Sequence, residues 1–232
     1  GVMAAIAASK GVTGALDVLE GPAGMGAEMS GNADWSKTTS GLGEIYNIEA
    51  ITFKNHGCCG HTFAAIDGLL FIMQDAQITT GDIASIAIAT YGPAVSITDR
   101  VDPKTPQECK FSMQYVLAHA AHYGSVRIEA FEADRMRDPA IRAMLGQIDL
   151  GIDSAIDAEF PSRRAAHVTV TTKDGRQLTH YQPTRKGDPD LPLSDNELGA
   201  KFIELTNPVL GGELTNSLLQ KLWQLDDISL AN

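Results

Sequence analysis

Lys54-Asn55-His56-Gly57-Cys58-Cys59-Gly60-His61-Thr62 is the stretch on which the fold turns. The residues before it, Tyr46 to Lys54, read as a strand. Those after it read as a helix from Thr62 to about Gln77, with Thr62 as its N-cap. Ile83 to Tyr91 follows as a β-rich run with partial alternation. Further on, a helix is expected from Gln107 to about Tyr123, ended by Gly124, and a short one from Pro139 to Leu145 behind a first-turn proline. His167–Lys173 and Arg176–Tyr181 flank Asp174-Gly175, a strong hairpin signal. Strands mixed with helices in this way place the middle of the chain in the α+β class.

Outward from that region the pattern becomes helical. Residues 1 to about 45 are rich in Gly and Ala, which suits close packing and tight turns. Gly1 to Gly11 reads as helix stopped by a glycine. It opens apolar, without an initiator Met or an N-cap, as a cut inside a larger helical domain would. Leu19-Glu20-Gly21-Pro22-Ala23-Gly24 is expected to close a second short helix. Pro183 to Pro192 is a polar, Pro-rich connection. Beyond it Ser194 caps a helix through Leu205, and another runs from about Gly212 to Leu225.

The chain has 232 residues, 44% hydrophobic and 20% charged, as in an ordinary soluble protein. Its formal net charge of -11 argues against nucleic acid or an anionic membrane as partner, because no field attracts a polyanion. A small anion needs only a local cluster of donors. No apolar run approaches the roughly 20 residues of a bilayer span. Three cysteines, Cys58, Cys59 and Cys109, do not make a disulfide framework, so a reducing cytoplasm is expected.

The 54–62 cluster is the richest in chemistry. A helix N-terminus offers free N–H groups and partial positive charge, which can hold a carboxylate and favour a thiolate. Lys54 would add a point charge or a proton relay. The bland alternatives are a solvated lysine and a buried apolar Cys58–Cys59 pair. Cys58, Cys59 and His61 are too close in sequence to close a tetrahedral metal site without a second ligand pair, and none is found; no metal or other cofactor is expected. On the long helix, Ser112, Tyr115, His119 and His122 share one flank, beside an apolar stripe of Cys109, Met113, Val116, Leu117 and Ala120. A tyrosine there is usually a core residue, and such histidines usually serve at the surface or behind a site. Gly21 to Gly31 fits no phosphate-cradle spacing, and no nucleophile elbow or zinc-protease motif occurs.

Taken together, Leu19-Glu20-Gly21 with Gly24, Lys54 to Asp67, Lys110-Phe111-Ser112-Met113-Gln114-Tyr115, Lys173–Arg176, Lys186–Pro189, Pro192–Ser194 and Lys201-Phe202 resemble the MmgE/PrpD family in order and spacing. The family comprises 2-methylcitrate dehydratase-like proteins, with dehydratase, decarboxylase and epimerase members. They work at carbon next to a carboxylate without metal or organic cofactor. The resemblance implies an all-helical domain and a smaller α+β lid with the active site between them. Residues 1–49 would belong to the helical domain, 50–183 to the lid, and 184–232 to the helical domain again. It also implies a missing N-terminal helical region, a homodimer, and a small polycarboxylate as substrate. Lys54, Cys59 and Tyr115 fall on active-site positions of the family; His56, His61, Lys110 and Ser112, from the same segments, are expected to contact substrate. The expectation is an amine, a sulfur and a phenol aimed into one anion-holding cleft. Three departures stand out. Phe63 replaces the histidine that follows the threonine in many members, and His61, which precedes the threonine, is expected to face elsewhere. Gly57 stands where many have proline, and the Pro-Ala-Glu-Phe-His run of some methylcitrate dehydratases is absent. A rival reading is a non-catalytic or split-subunit module, inactive without the N-terminal half.

Overall fold

A computed structural model describes residues 1–225. The last seven residues of the expected C-terminal segment, 226–232, lie outside the described residues. The chain divides into two compact units, Gly1–Glu49 and the part from Ala50 onward.

The first unit holds α1 (Val2–Ser9) and α2 (Met25–Met29). The helix expected to end at Leu19–Gly24 is not there. Residues 16–20 form turns, and Gly24 is the N-cap of α2 rather than the stop of an earlier helix. Alternating turn residues leave too short an apolar run to nucleate a helix on its own.

The second unit begins without the expected strand. Asn47–Ala50 is a 3-10 turn, and 51–55 is irregular. Among the described residues this segment finds no neighbouring strand, only a single backbone bond from Phe53 N–H to Gly187 O at 2.8 Å. Then come α3 (Phe63–Asp75), β1 (Ile83–Thr90), α4 (Gly92–Thr98), α5 (Pro106–Lys110) and α6 (Met113–Tyr123). α5 and α6 replace the single helix expected from Gln107 to Tyr123. Ser112 breaks it: its backbone is extended, its Oγ accepts from Tyr115 N–H at 3.0 Å, and its hydroxyl donates to Arg100 O at 2.6 Å. A serine at an N-cap commonly contributes about 1 kcal/mol, so the second helix starts afresh there. Gly124 ends α6 as expected.

Next follow α7 (Ala133–Arg137), α8 (Pro139–Met144), β2 (Ile148–Ile152), α9 (Ser154–Glu159), β3 (Ala166–Thr172) and β4 (Gln177–Gln182). Finally α10 (Asp195–Leu210) starts at a Ser194–Glu197 capping box, and α11 is Gly212–Trp223.

The sheet runs in the order β2-β1-β3-β4. β1 pairs parallel with β2 and antiparallel with β3, and β3–β4 is the expected hairpin. Along β1 the buried side chains Ile86, Ile88 and Thr90 alternate, but Ile83 is out of phase. A register shift between Ile83 and Ser85 resets the count, which is why alternation in the sequence is only partial. One sheet face, with Ile86, Ile88, Val168 and Val170, meets α3 through Phe63, Ile66 and Leu69. α6 packs on α3 and completes an α+β core. The amino end of α3 thereby stands at the rim of a rigid layer. No helix among the described residues is long and apolar enough to cross a membrane.

Candidate active site

The irregular segment 51–62 is tied down by its backbone. Besides the Phe53–Gly187 bond, Gly57 N–H donates to Val126 O at 2.8 Å and Cys59 N–H donates to Lys110 O at 2.9 Å. The Lys201 ammonium donates to Lys54 O at 2.5 Å. A 3-10 turn, Gly60–Thr62, then leads into α3. Thr62 sits at the expected N-cap position, but its hydroxyl closes this turn, donating to Cys59 O at 2.8 Å, instead of capping an N–H.

Vicinal Cys58 and Cys59, just ahead of this turn, differ in burial. Cys58 is buried, its Sγ 3.2 Å from Thr62 Oγ1, and burial, against the weaker pull of that contact, pushes its thiol up to about 12. It is a core residue. Cys59 instead lines a cleft of about 300 Å³ with Lys54, His61, Thr52, Gly60 and Phe63, closed on the other side by Arg164 and Arg185. The Lys54 ammonium lies 3.5 Å from Cys58 O. The amino end of α3 and the turn before it form one wall, and the first N–H groups of a helix lack acceptors of their own. Among the described residues, no three His, Cys, Asp or Glu side chains are grouped to hold a metal ion.

Two arginines, neither of them expected from the sequence, give the cleft its charge. Arg185 is buried and grips Asp188 through Nε (2.8 Å) and Nη2 (2.5 Å), while the Thr52 hydroxyl donates to Asp188 at 2.6 Å. Burial would raise the Asp188 carboxyl. The hydrogen bonds from Arg185 and Thr52, with the guanidinium charge, outweigh it and hold the carboxyl below its ordinary value. Arg164 has no carboxylate partner among the described residues; its guanidinium lies 5.9 Å from the Phe160 ring centre. A polar cleft of about 440 Å³ continues from the first, sharing Thr52, Arg164 and Arg185 and adding Arg163 and Ser162.

His61 also lines the first cleft. Its Nδ1 lies 2.8 Å from the hydroxyl of Tyr91, a buried residue just beyond β1. Partial burial, then the Arg164 and Arg185 charges, lower its pKa.

The other expected residues lie elsewhere. Tyr115 is 0% exposed, and its hydroxyl donates to Ala130 O. Burial pushes that phenol well above its ordinary range. The amine and the sulfur therefore meet in one cleft and the phenol does not join them, because the face of α6 that carries Tyr115 is the core face. Ser112 is a buried helix cap. Lys110 offers its carbonyl to Cys59, and its ammonium lies 5.3 Å from the Phe131 ring. His56 is buried, with Nε2 3.2 Å from Asp67 Oδ1 and Nδ1 without a partner among the described residues. It borders a second cleft, of about 210 Å³, with Arg127, Lys201 and Glu204, and Lys54 lines this one too. That smaller cleft is mostly apolar, which makes it the weaker anion site. His119 is likewise behind the surface, its Nδ1 2.8 Å from Ser125 O.

This placement makes an expected result. Tyr115→Phe leaves the Ala130 carbonyl without its donor and should lower stability by about 1 kcal/mol. A urea denaturation curve checks it; an unchanged midpoint would mean that the hydroxyl is not bonded there.

The chain is similar in sequence to several known proteins. Cis-aconitate decarboxylase of Homo sapiens is 24% identical over 239 residues, covering 98% of this chain and 48% of that protein. The Mus musculus protein of the same name is 26% identical over 136 residues, 59% of this chain and 28% of that one. 2-Methylcitrate dehydratase of Cupriavidus necator is 30% identical over 105 residues, 43% of this chain and 22% of its own length. The chain thus spans about half the length of the human relative and less of the others. By their names these relatives are lyase-type enzymes. Residues 56–225 match the model of the MmgE/PrpD C-terminal domain, and the chain belongs to the MmgE/PrpD family.

Proposed function

We propose that this chain carries the cation-lined half of the active site of a cofactor-independent lyase or isomerase, which abstracts a proton next to a carboxylate of a small di- or tricarboxylate. The observation that carries this reading is the convergence of Lys54, Arg164 and Arg185 on one cleft that also holds Cys59 and His61. A carboxylate bound there is met by charge-assisted donors, which are shorter and stronger than neutral ones. Positive charge beside the carboxylate also stabilises the enediolate that forms when the adjacent C–H proton leaves, and such fixed electrostatics are often the largest catalytic contribution. The names of the relatives support 2-methylcitrate and cis-aconitate as first substrates to test, and iminodisuccinate tests the epimerase chemistry of the family.

A second reading has its own observation, the coverage of about half of the human relative. Here the chain is a binding module or split subunit, inactive until an N-terminal helical region is supplied. In either reading, residues 1–49 and 184–232 would belong to the helical domain and 50–183 to the lid. A cytoplasmic homodimer would be the working form. The exposed apolar side chains Val209, Leu214 and Trp223 on α10 and α11 support burial by further protein.

Turnover of the three acids, by the chain alone and with a separately supplied N-terminal region, tests both readings. Activity only with the added region favours the split form. Lys54→Met should reduce kcat/KM by roughly 10- to 100-fold, the worth of one charged hydrogen bond. No turnover in either arrangement, or a Lys54→Met enzyme as active as wild type, would defeat the carboxylate reading. Light scattering tests the dimer.

A further inference from the structure

We infer that His61 and Tyr91 form a proton-transfer pair in the carboxylate cleft. His61 is the catalytic residue that takes and returns the substrate proton, and Tyr91 is the positioning residue that holds its ring. The inference rests on the reading of that cleft as a carboxylate site.

The geometry comes from two distant parts of the chain. His61 stands on the turn before α3 and Tyr91 just past the end of β1, 30 positions on, with Nδ1 and Oη 2.8 Å apart. The rings meet edge-on with centroids 5.5 Å apart. Tyr91 is 1% exposed and stacked on Phe160 at 4.7 Å, within a small core of its own with Ala94, Ile156 and Ala165. A phenol held this way fixes the direction of its hydroxyl and, through it, the plane of the imidazole. The other ring nitrogen, Nε2, has no hydrogen bond among the described residues, while the ring lines the cleft beside Lys54 and Cys59. Phe63, two positions on, is fully buried, and His61 is the imidazole that lines this cleft.

The step balances as follows. Nδ1–H donates to Tyr91 Oη, which leaves the lone pair on Nε2. That pair bonds to the substrate proton as the C–H bond breaks, and the C–H electrons move into the adjacent carboxylate as an enediolate beside Lys54 and Arg164. The enediolate then collapses: the carboxylate re-forms, a C=C bond forms to the neighbouring carbon as its C–O bond breaks, and the proton on Nε2 goes to the departing hydroxyl, giving water. The net outcome is an elimination; return of the proton to the same carbon only regenerates the substrate. The titratable and charged groups around the ring are Tyr91 after β1, Arg164 ahead of β3, Arg185 with its partner Asp188 after β4, and Lys54 and Cys59 on the same loop. Partial burial and the two guanidinium charges favour the neutral imidazole, which is the form that can accept a proton.

The test uses the enzyme containing this chain and the same three acids. His61→Gln should lower kcat by roughly 10²- to 10⁴-fold with little change in KM. Tyr91→Phe should lower kcat by up to about tenfold, the worth of one hydrogen bond. It should also move the acidic limb of the pH profile to lower pH, because the imidazolium loses the acceptor of its Nδ1 proton. Nitrogen NMR of the wild-type chain at neutral pH should show His61 protonated at Nδ1 and bare at Nε2, a result independent of any loss of folding in the variants. Lys54-dependent turnover that survives His61→Gln, an unmoved acidic limb in Tyr91→Phe, or an Nε2–H tautomer overturns the pair alone. Wild-type enzyme inactive on all three acids overturns the carboxylate reading, and the pair with it.

Discussion

Asp188→Ala should lower the folding stability of the chain by about 3–5 kcal/mol, the cost of leaving one member of a buried ion pair behind. The carboxylate accepts from Arg185 Nε, Nη2 and backbone N–H and from the hydroxyl of Thr52. Arg185 is only 8% exposed, so few of its donors can turn to water for replacement bonds. Thr52 belongs to the segment that carries Lys54, so the loss should also loosen the cleft and weaken carboxylate binding. Urea denaturation at neutral pH measures the effect. The pH dependence follows from the depressed carboxyl. An Asp held below its usual value stabilises the fold above the ordinary pKa of about 3.9, and that contribution is lost as the pH falls through the folded value. Wild type and Asp188→Ala should therefore converge in acid. A gap below about 1 kcal/mol at neutral pH, the range of an exposed pair, would show that Arg185 and Asp188 are not effectively buried.

Gly187→Ala should cost roughly 2–5 kcal/mol, combining a left-handed backbone penalty of about 1–2 with overpacking of about 1–3. Gly187 has φ +101°, and a Cβ added there would lie 2.0 Å from Phe53 O, a backbone atom that cannot rotate aside. At the same close approach, a separate bond from Phe53 N–H to Gly187 O holds the segment leading to Lys54. Gly175, in the β3–β4 hairpin, is the control: its φ is +89° but nothing lies within 4 Å of an added Cβ. Gly175→Ala should show only the backbone part, about 1–2 kcal/mol. Equal melting shifts for the two variants would mean that the clash is relieved by loop movement, and the close approach at Phe53 would then play no part in shaping the cleft.

Much of the architecture could be read before any coordinates. Asp174-Gly175 between alternating runs marked the hairpin, Ser194 marked the start of α10, and Gly124 marked the end of α6. In each case the cause is local: a backbone conformation or a cap decided within a few residues. The strand expected before Lys54 failed because a strand needs a neighbour, and among the described residues only Gly187 offers it a backbone bond. β2 was missed because it has only one buried side chain, Ile148, and its partner β1 lies some sixty residues earlier.

The sequence by itself determined the family and the α+β class. It also placed Lys54 and Cys59 in one short segment, whereas His61, expected to face elsewhere, lines the same cleft. Only the tertiary structure decided what surrounds them. Tyr115 turned into the core, its hydroxyl taken by a carbonyl beyond the end of α6, whereas Tyr91, Arg164 and Arg185 arrived from the ends of three strands. No spacing in the chain encodes that meeting. Strand order and the burial of apolar faces set it, and these are properties of the whole packed layer.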